Sequence, residues 1–176
     1  MEILIVQTGG TIDKCYPKNI GGYAFEFGDS YAKEICEKYT IARYLKFHLV
    51  RPFLKDSLEI SLENRSELAN LLINSKYEKI LITHGTDTMI ETGEYLTTFK
   101  DQLKNKCIVL TGAFRPGVFK DTDADFNVAF AIGGLTMSKE SGIFLAMHGK
   151  FYQPNEVVRD KESGCFIPIT VDNIQN

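Results

Sequence analysis

The chain has 176 residues, of which 44% are hydrophobic and 24% charged, and its formal net charge is −3. This length fits one domain and the composition is that of an ordinary globular protein, while the negative charge argues against partners such as nucleic acid or an anionic membrane. No apolar stretch approaches the ~20 residues that span a bilayer, and the first residues lack the pattern of a signal peptide, so we expect a cytoplasmic protein.

The cysteines and histidines predict neither disulfides nor a bound cofactor. The four cysteines are widely spaced and form no CxxC pair, so we expect free thiols. The three histidines lack the spacing of zinc ligands. The chain contains neither the GxGxxG nor the GxxxxGKS/T pattern of nucleotide-binding turns. We therefore expect no metal and no nucleotide cofactor.

Strand, loop and helix patterns follow one another through the first part of the chain. A continuous aliphatic run at residues 2–7 predicts a strand that is buried on both faces. Residues 13–29, rich in glycine and aromatic residues, predict a long loop of the kind that is usually functional. Residues 30–45 predict a helix with Ser30 as its cap, and residues 47–53 predict a weak strand. The apolar positions of this helix are Ile35, Tyr39, Ala42 and Leu45.

Helices and strands alternate through the remainder. We expect helix 62–75 capped by Ser61, strand 78–83, helix 88–99, strand 107–112, helix 123–138, strand 142–147 and one or two edge strands within 151–170. Helix 123–138 should bury Phe126, Phe130 and Leu135 and pack Gly133-Gly134 closely against the sheet. The alternation predicts a three-layer α/β/α fold with a mostly parallel central sheet, in one domain over residues 1–176.

Two polar turns follow predicted strands. Thr8-Gly9-Gly10-Thr11 comes after strand 2–7, and Gly85-Thr86-Asp87-Thr88 after strand 78–83. Ligands bind at the carboxyl ends of parallel strands, and glycine lets a backbone approach a ligand closely. A threonine hydroxyl becomes a nucleophile when it is activated, and a carboxylate can hold a substrate ammonium. Threonine and aspartate before a helix can also be ordinary N-caps, but the two turns together indicate a ligand site.

Five motifs occur in the order of one known family. They are Thr8-Gly9-Gly10-Thr11-Ile12, Asp56-Ser57, Ile82 to Met89 followed by Glu91-Thr92, Thr111 to Pro116, and Phe126-Asn127. In these motifs the chain resembles the N-terminal catalytic domain of bacterial-type L-asparaginases and glutaminase-asparaginases, a family that includes an amidotransferase subunit. The resemblance implies an L-asparaginase-like amidohydrolase with asparagine as substrate. Glutamine would compete, because a pocket discriminates one methylene by only ~1–3 kcal/mol.

Roles for individual residues are implied by the resemblance. Thr11 would attack the side-chain amide to form an acyl-enzyme, and Thr86 would be the second catalytic hydroxyl. Asp87 would bind the substrate's α-ammonium, and Ser57 with its neighbour Asp56 would bind the α-carboxylate.

A tyrosine assists the nucleophile in this family, and substrate contacts also come from glycine backbone. Tyr23, which follows Gly21-Gly22, fits the tyrosine best, with Tyr16 as the alternative. Gly10 and Gly85 would contact the substrate.

The chain departs from the family pattern in two ways. The family's catalytic lysine, which pairs with the second threonine and the aspartate, aligns with Arg159, and Lys161 follows two residues later. Arginine is always protonated and cannot act as a base, so Lys161 takes the role, or Arg159 only supplies charge, or activity is impaired. We also expect the chain to lack the family's smaller C-terminal domain, which supplies a glutamate to a neighbouring subunit.

We therefore expect a short form of the family. It would assemble as a homodimer or a higher oligomer. A catalytically weak amino-acid-binding or amide-binding homologue, or a subunit of a larger amidotransferase-type assembly, is the alternative.

Overall fold

The computed structural model describes residues 1–17, 24–39 and 43–170. The strands are β1 Glu2–Gln7, β2 Lys14–Cys15, β3 Glu26–Phe27, β4 Lys46–Val50, β5 Lys79–Thr83, β6 Cys107–Thr111, β7 Gly142–Met147, β8 Lys150–Tyr152, β9 Val157–Arg159 and β10 Phe166–Pro168. The helices are α1 Tyr31–Lys38, α2 Leu62–Asn74, α3 Met89–Thr97 and α4 Ala124–Met137. Short 3₁₀ turns lie at Thr11–Asp13, Ser57–Glu59 and Pro154–Glu156.

A six-stranded sheet forms the middle layer, in the order β4-β1-β5-β6-β7-β8. The first five strands run parallel, and β8 is antiparallel to β7. One face of the sheet packs on α2 and α3, and the other on α1 and α4. The predicted α/β fold with a mostly parallel sheet between helices is confirmed. Its central strands are apolar throughout because both of their faces are covered.

Helix α2 begins and packs as its sequence predicts. The Ser61 hydroxyl accepts a hydrogen bond from the Asn64 backbone N–H, and the Asn64 side chain accepts one from the Ser61 N–H, which makes a capping box. Leu68 and Leu72 are buried against the sheet, while Leu71 is partly buried.

Two apolar positions of α4 differ from the prediction. Phe126 is 58% exposed and lies beside Phe130 on the outer side of the helix. Gly133 has no atom within 4 Å of its Cβ position, whereas Gly134 contacts the Phe151 ring of β8. The prediction was wrong for Phe126 and Gly133. The buried stripe that faces the sheet is instead Ala124, Asn127, Val128, Ala131, Ile132 and Leu135, which has the 3–4 residue spacing of one helix face.

Helix α1 is shorter than the predicted helix over residues 30–45. It begins at the Ser30 cap, as expected, and ends at Lys38. Tyr39 is half exposed, and its hydroxyl donates to Asp125 on α4. The prediction of Tyr39 as an apolar core position is therefore wrong, because its hydroxyl binds a carboxylate at the surface. Ala42 lies outside the described residues.

The predicted loop over residues 13–29 also contains regular structure. Within its described part, β2 pairs with β3 in an antiparallel bridge of two residues. The tail behaves as predicted, since β8 joins the edge of the central sheet and β9 pairs with β10 separately. No helix within the described ranges combines the length and apolar character needed to cross a membrane.

Candidate active site

The two polar turns lie against each other at one edge of the sheet. Their strands β1 and β5 are parallel neighbours, so both turns leave the sheet at the same end. The Thr8 hydroxyl donates to the Thr83 carbonyl oxygen over 2.7 Å. Gly10, at φ +84°, touches Gly85, and a Cβ on Gly10 would lie 2.3 Å from the Gly85 nitrogen. No side chain other than hydrogen fits at this contact.

A third segment, Lys55 to Ser57, completes the arrangement. The Gly10 N–H donates to the Lys55 carbonyl oxygen over 3.0 Å. A Cβ on Gly85 would lie 2.7 Å from both the Cβ and the Oγ of Ser57. The Thr88 hydroxyl donates to the Ser57 carbonyl oxygen over 2.7 Å. Ser57 is therefore fixed directly against the Gly85 backbone.

The Ser57 hydroxyl lacks a hydrogen-bond partner in the described part of the chain. The residue is 1% exposed, and its Oγ is buried. A buried polar atom without a partner is rare, and it often indicates a group whose partner is a bound ligand or water. This hydroxyl is available to accept or donate one further hydrogen bond.

Asp56 occupies the start of the same turn. Its carboxylate accepts a hydrogen bond from the Leu58 N–H and forms an ion pair with Lys14 over 2.7 Å. The Lys14 hydrogen bond lowers the pKa of the Asp56 carboxyl. Asp56 therefore carries a negative charge that Lys14 largely compensates.

Thr11 and Thr86 flank the contact between Gly10 and Gly85. Thr11 is partly exposed and begins a 3₁₀ turn, whereas Thr86 is buried. Thr11 borders an open cleft of about 380 Å³ whose other lining residues are Lys14, Phe25, Phe114, Arg115, Pro116, Phe119 and Asp121. The structure thus gives Thr11 access to a ligand-sized space.

The structure brings Arg159 to Asp87, and the two side chains form an ion pair. The Arg159 Nε also donates to the Gly164 carbonyl oxygen over 3.0 Å. Its guanidinium carbon lies 5.3 Å from the centre of the Phe114 ring. Lys161 is exposed in the turn between β9 and β10. Arg159 is therefore held from three sides beside the carboxylate predicted to bind an ammonium.

Of the two tyrosine candidates, Tyr23 lies outside the described residues. Tyr16 is mostly exposed, and its ring packs beside Phe25 and Phe119 at centroid distances of 5.1 and 6.2 Å. Tyr16 thus stands near the cleft wall that Phe25 and Phe119 form.

Sequence reasoning missed Asp13, a buried carboxylate in the same turn as Thr11. Its two oxygens accept hydrogen bonds from the Tyr31 N–H over 3.0 Å and from the Thr83 hydroxyl over 3.1 Å. Burial raises the pKa of Asp13 to about 6 in spite of these bonds. The available signal is a carboxylate two residues after Thr11, in a segment whose composition predicts only a loop.

His84 is the second buried titratable group at the site. Burial lowers its pKa to about 4, so the imidazole is neutral at pH 7. Its Nδ1 lies 2.8 Å from the Gly85 carbonyl oxygen, and only a protonated Nδ1 can donate there. The ring therefore braces the Gly85 turn without adding charge.

The described ranges contain no group of three or more histidine, cysteine, aspartate or glutamate side chains that could hold a metal ion. Cys15, Cys36, Cys107 and Cys165 are all free thiols.

Comparisons with known proteins converge on one family. The sequence profile described as Asparaginase, N-terminal, matches residues 2–165. A glutamyl-tRNA(Gln) amidotransferase subunit of Pyrococcus furiosus is 30% identical over 152 residues, which are 84% of this chain and 34% of that protein. L-asparaginase 2 of Escherichia coli is 28% identical over 180 residues, which are 90% of this chain and 46% of that protein.

A solved structure agrees with these relatives. The thermostable L-asparaginase from Thermococcus kodakarensis superposes with a TM-score of 0.80 at 26% identity, covering 96% of this chain and 51% of that one. The chain thus spans about half, or less, of the length of the proteins it matches.

Proposed function

Because the chain belongs to the asparaginase family, we propose that it is an L-asparaginase-like amidohydrolase that converts L-asparagine to L-aspartate and ammonia. The observation that carries this proposal is the meeting of three segments through Gly10, Gly85 and Ser57. These segments hold the proposed nucleophile, the proposed ammonium clamp and an unpaired buried hydroxyl within one small region. Such convergence of a hydroxyl, a carboxylate and a polar anchor is what an amino-acid amide requires.

Substrate binding in this proposal uses both ends of the amino acid. The Asp87 carboxylate takes the α-ammonium, and the Ser57 hydroxyl donates to the α-carboxylate. Asp56 fixes the turn that presents Ser57, through its bond to the Leu58 N–H. Gly10 and Gly85 keep the backbone clear of the substrate, because any Cβ there would enter the contact between the turns.

The chemistry is a two-step acyl transfer. The Thr11 hydroxyl oxygen forms a bond to the amide carbon, its proton goes to a base, and the C–N bond breaks as ammonia leaves with a proton. Water then attacks the threonyl ester and releases aspartate, and Thr11 regains its proton. Thr86 relays protons as the second hydroxyl.

The residue that accepts the proton defines an open choice between two cations. Arg159 contacts Asp87, but a guanidinium stays protonated and cannot be the base. We propose that Arg159 supplies positive charge and orients Asp87. Lys161 would serve as the base only after a local shift. Tyr23 remains the proposed tyrosine that assists Thr11.

The second candidate function is binding without turnover, by an amino-acid-binding homologue or an amidotransferase-type subunit. The observation that favours it is the ion pair between Asp87 and Arg159, because it already compensates the charge that would attract a substrate ammonium. The amidotransferase subunit among the relatives is consistent with this second function.

One assay separates the two candidates. Purified protein is incubated with asparagine or glutamine, and ammonia release is followed in a coupled reaction. Thr11→Ala should abolish release, while Thr136→Ala, which changes a hydroxyl on α4 bonded to the Gly133 carbonyl oxygen, should not. Failure of the wild type to release ammonia, while aspartate still raises its melting temperature, would leave only the binding function.

Three further expectations are proposals of the same kind. We propose that residues 1–176 form a single domain, that the chain assembles as a homodimer or higher oligomer, and that it resides in the cytoplasm. The four free thiols agree with a reducing compartment. A monomeric sedimentation profile at micromolar concentration would contradict the oligomer.

A further inference from the structure

Asp13 closes the turn that begins at Thr8 and contains Thr11. Its backbone N–H donates to the Gly10 carbonyl oxygen over 3.2 Å, and its carbonyl oxygen accepts from the Gly28 N–H over 2.8 Å. The residue is 3% exposed. The carboxylate is therefore held inside the protein on a turn whose backbone is itself fixed.

Thr83 receives bonds from both ends of this turn. Its carbonyl oxygen accepts from the Thr8 backbone N–H and from the Thr8 hydroxyl, over 3.1 and 2.7 Å. Its hydroxyl donates to Asp13 over 3.1 Å. Thr83 is the last residue of β5 and immediately precedes the turn that carries Thr86. One residue thus links the two ends of the Thr11 turn to the Thr86 turn.

The other Asp13 oxygen accepts from the Tyr31 N–H at the first position of α1. A role as a helix cap would need only this oxygen, and asparagine caps helices as well as aspartate does. The second oxygen is directed to Thr83 instead. A buried carboxylate is an expensive way to cap a helix, so a second role is expected where the charge is retained.

The charged surroundings of Asp13 are sparse. The Gln7 side chain bonds to Asp13, and Arg51 adds a weaker favourable charge effect. Arg51 donates to the Gln7 side-chain oxygen over 2.6 Å and pairs with Asp29 at the surface. The acceptor oxygens of Asp13 therefore face donors, and a neutral amide would turn one donor group toward them.

We propose that Asp13 is a positioning residue that clamps the Thr11 turn onto Thr83 and so sets the placement of Thr11 relative to Thr86. The inference rests on the proposed function for its catalytic consequence. The mechanical link between the two turns can be measured without any substrate. Misplacement of reacting groups by about 1 Å can lower a rate ~10²-fold, so a loose clamp should reduce kcat more than it changes KM.

The test uses three variants of the full chain. Asp13→Asn keeps the size and the helix cap, and Thr83→Val removes the hydroxyl that Asp13 accepts from. Asp125→Asn is the control, because Asp125 also anchors α1, through the Tyr31 and Tyr39 hydroxyls over 3.0 and 2.6 Å, but contacts neither turn. Hydrogen exchange is measured at pH 8 in peptides covering residues 8–13 and 83–88, together with kcat and KM for ammonia release.

Asp13→Asn and Thr83→Val should both accelerate exchange in the two peptides and lower kcat roughly 10- to 100-fold, with KM changing far less. Asp125→Asn should do neither. Unchanged exchange in residues 83–88 in both test variants would overturn the proposal and leave Asp13 as a helix cap. Wild-type protein that releases no ammonia would defeat the proposed function alone, and the exchange data would still decide on the clamp. If Asp13→Asn does not fold, the exchange and kinetics of Thr83→Val decide.

Discussion

The guanidinium of Arg159 forms an ion pair with the carboxylate of Asp87. The two residues are 72 positions apart and meet because the β9–β10 hairpin turns back over the end of the sheet beside Phe114. This pair decides which cation faces the proposed ammonium site. It also gives the first prediction.

Arg159→Met should lower kcat/KM for asparagine ~10²-fold, because Asp87 loses the contact that orients it. Lys161→Met, two residues away in the exposed turn, should stay within about threefold of the wild type, as surface substitutions usually do. Steady-state ammonia release from both variants is the measurement. The opposite ranking would assign the family's lysine role to Lys161.

Gly10→Ala should destabilise the protein by about 2 kcal/mol or more, since the new Cβ would lie 2.3 Å from the Gly85 nitrogen at φ +84°. Gly133→Ala is the matched control. Nothing lies within 4 Å of its Cβ position in α4, so removing a helical glycine should stabilise by about 0.5–1 kcal/mol. Urea denaturation measures both. Equal stability of the two variants would refute the close approach of the turns.

Ser57→Ala should raise KM for asparagine ~10-fold or more, because a hydrogen bond to a charged group contributes roughly 1.5–3 kcal/mol. Its stability should stay near that of the wild type, since the buried Oγ has no partner among the described residues. Ser138→Ala, which changes a surface hydroxyl bonded to Glu140, should leave KM unchanged. A large loss of stability without a change in KM would make Ser57 a structural residue.

Asp13 should make stability depend on pH. Its folded pKa of about 6 lies above the ordinary 3.8, so the folded state binds the proton more tightly than the unfolded state does. The contribution of this group to stability is therefore highest below pH 3.8 and is lost as pH rises through 6. Between pH 4 and pH 8, the stability difference between Asp13→Asn and the wild type should shift in favour of the variant by roughly 2–3 kcal/mol.

The difference between variant and wild type must be compared at both pH values, because His84 has the opposite effect. Its pKa is lowered from 6.5 to about 4, so its contribution is present above pH 6.5 and is lost on acidification toward pH 4. Comparing urea midpoints of Asp13→Asn and the wild type at pH 4 and pH 8 cancels the His84 contribution. A stability difference that does not change with pH would mean that Asp13 is not desolvated.

The sequence by itself determined the fold class and the position of the two turns. Aliphatic runs such as residues 2–7 could only be strands covered on both faces, and the alternation with helices then required a mostly parallel sheet. The capping box at Ser61 and Asn64 is equally local, so the start of α2 was predictable. Threonines and glycines at strand ends indicated a ligand site because parallel strands bring their carboxyl ends to one edge.

Only the tertiary structure decided how distant side chains combine. Asp13 meets Thr83 across 70 positions, and the lack of a partner for the Ser57 hydroxyl among the described residues is a property of the packed state. The exposure of Phe126 and of Gly133 follows from how α4 is rotated on the sheet, which an almost wholly apolar helix does not specify. Periodicity and motifs depend on neighbours within one turn of chain, whereas desolvation and charge pairing depend on which elements pack together.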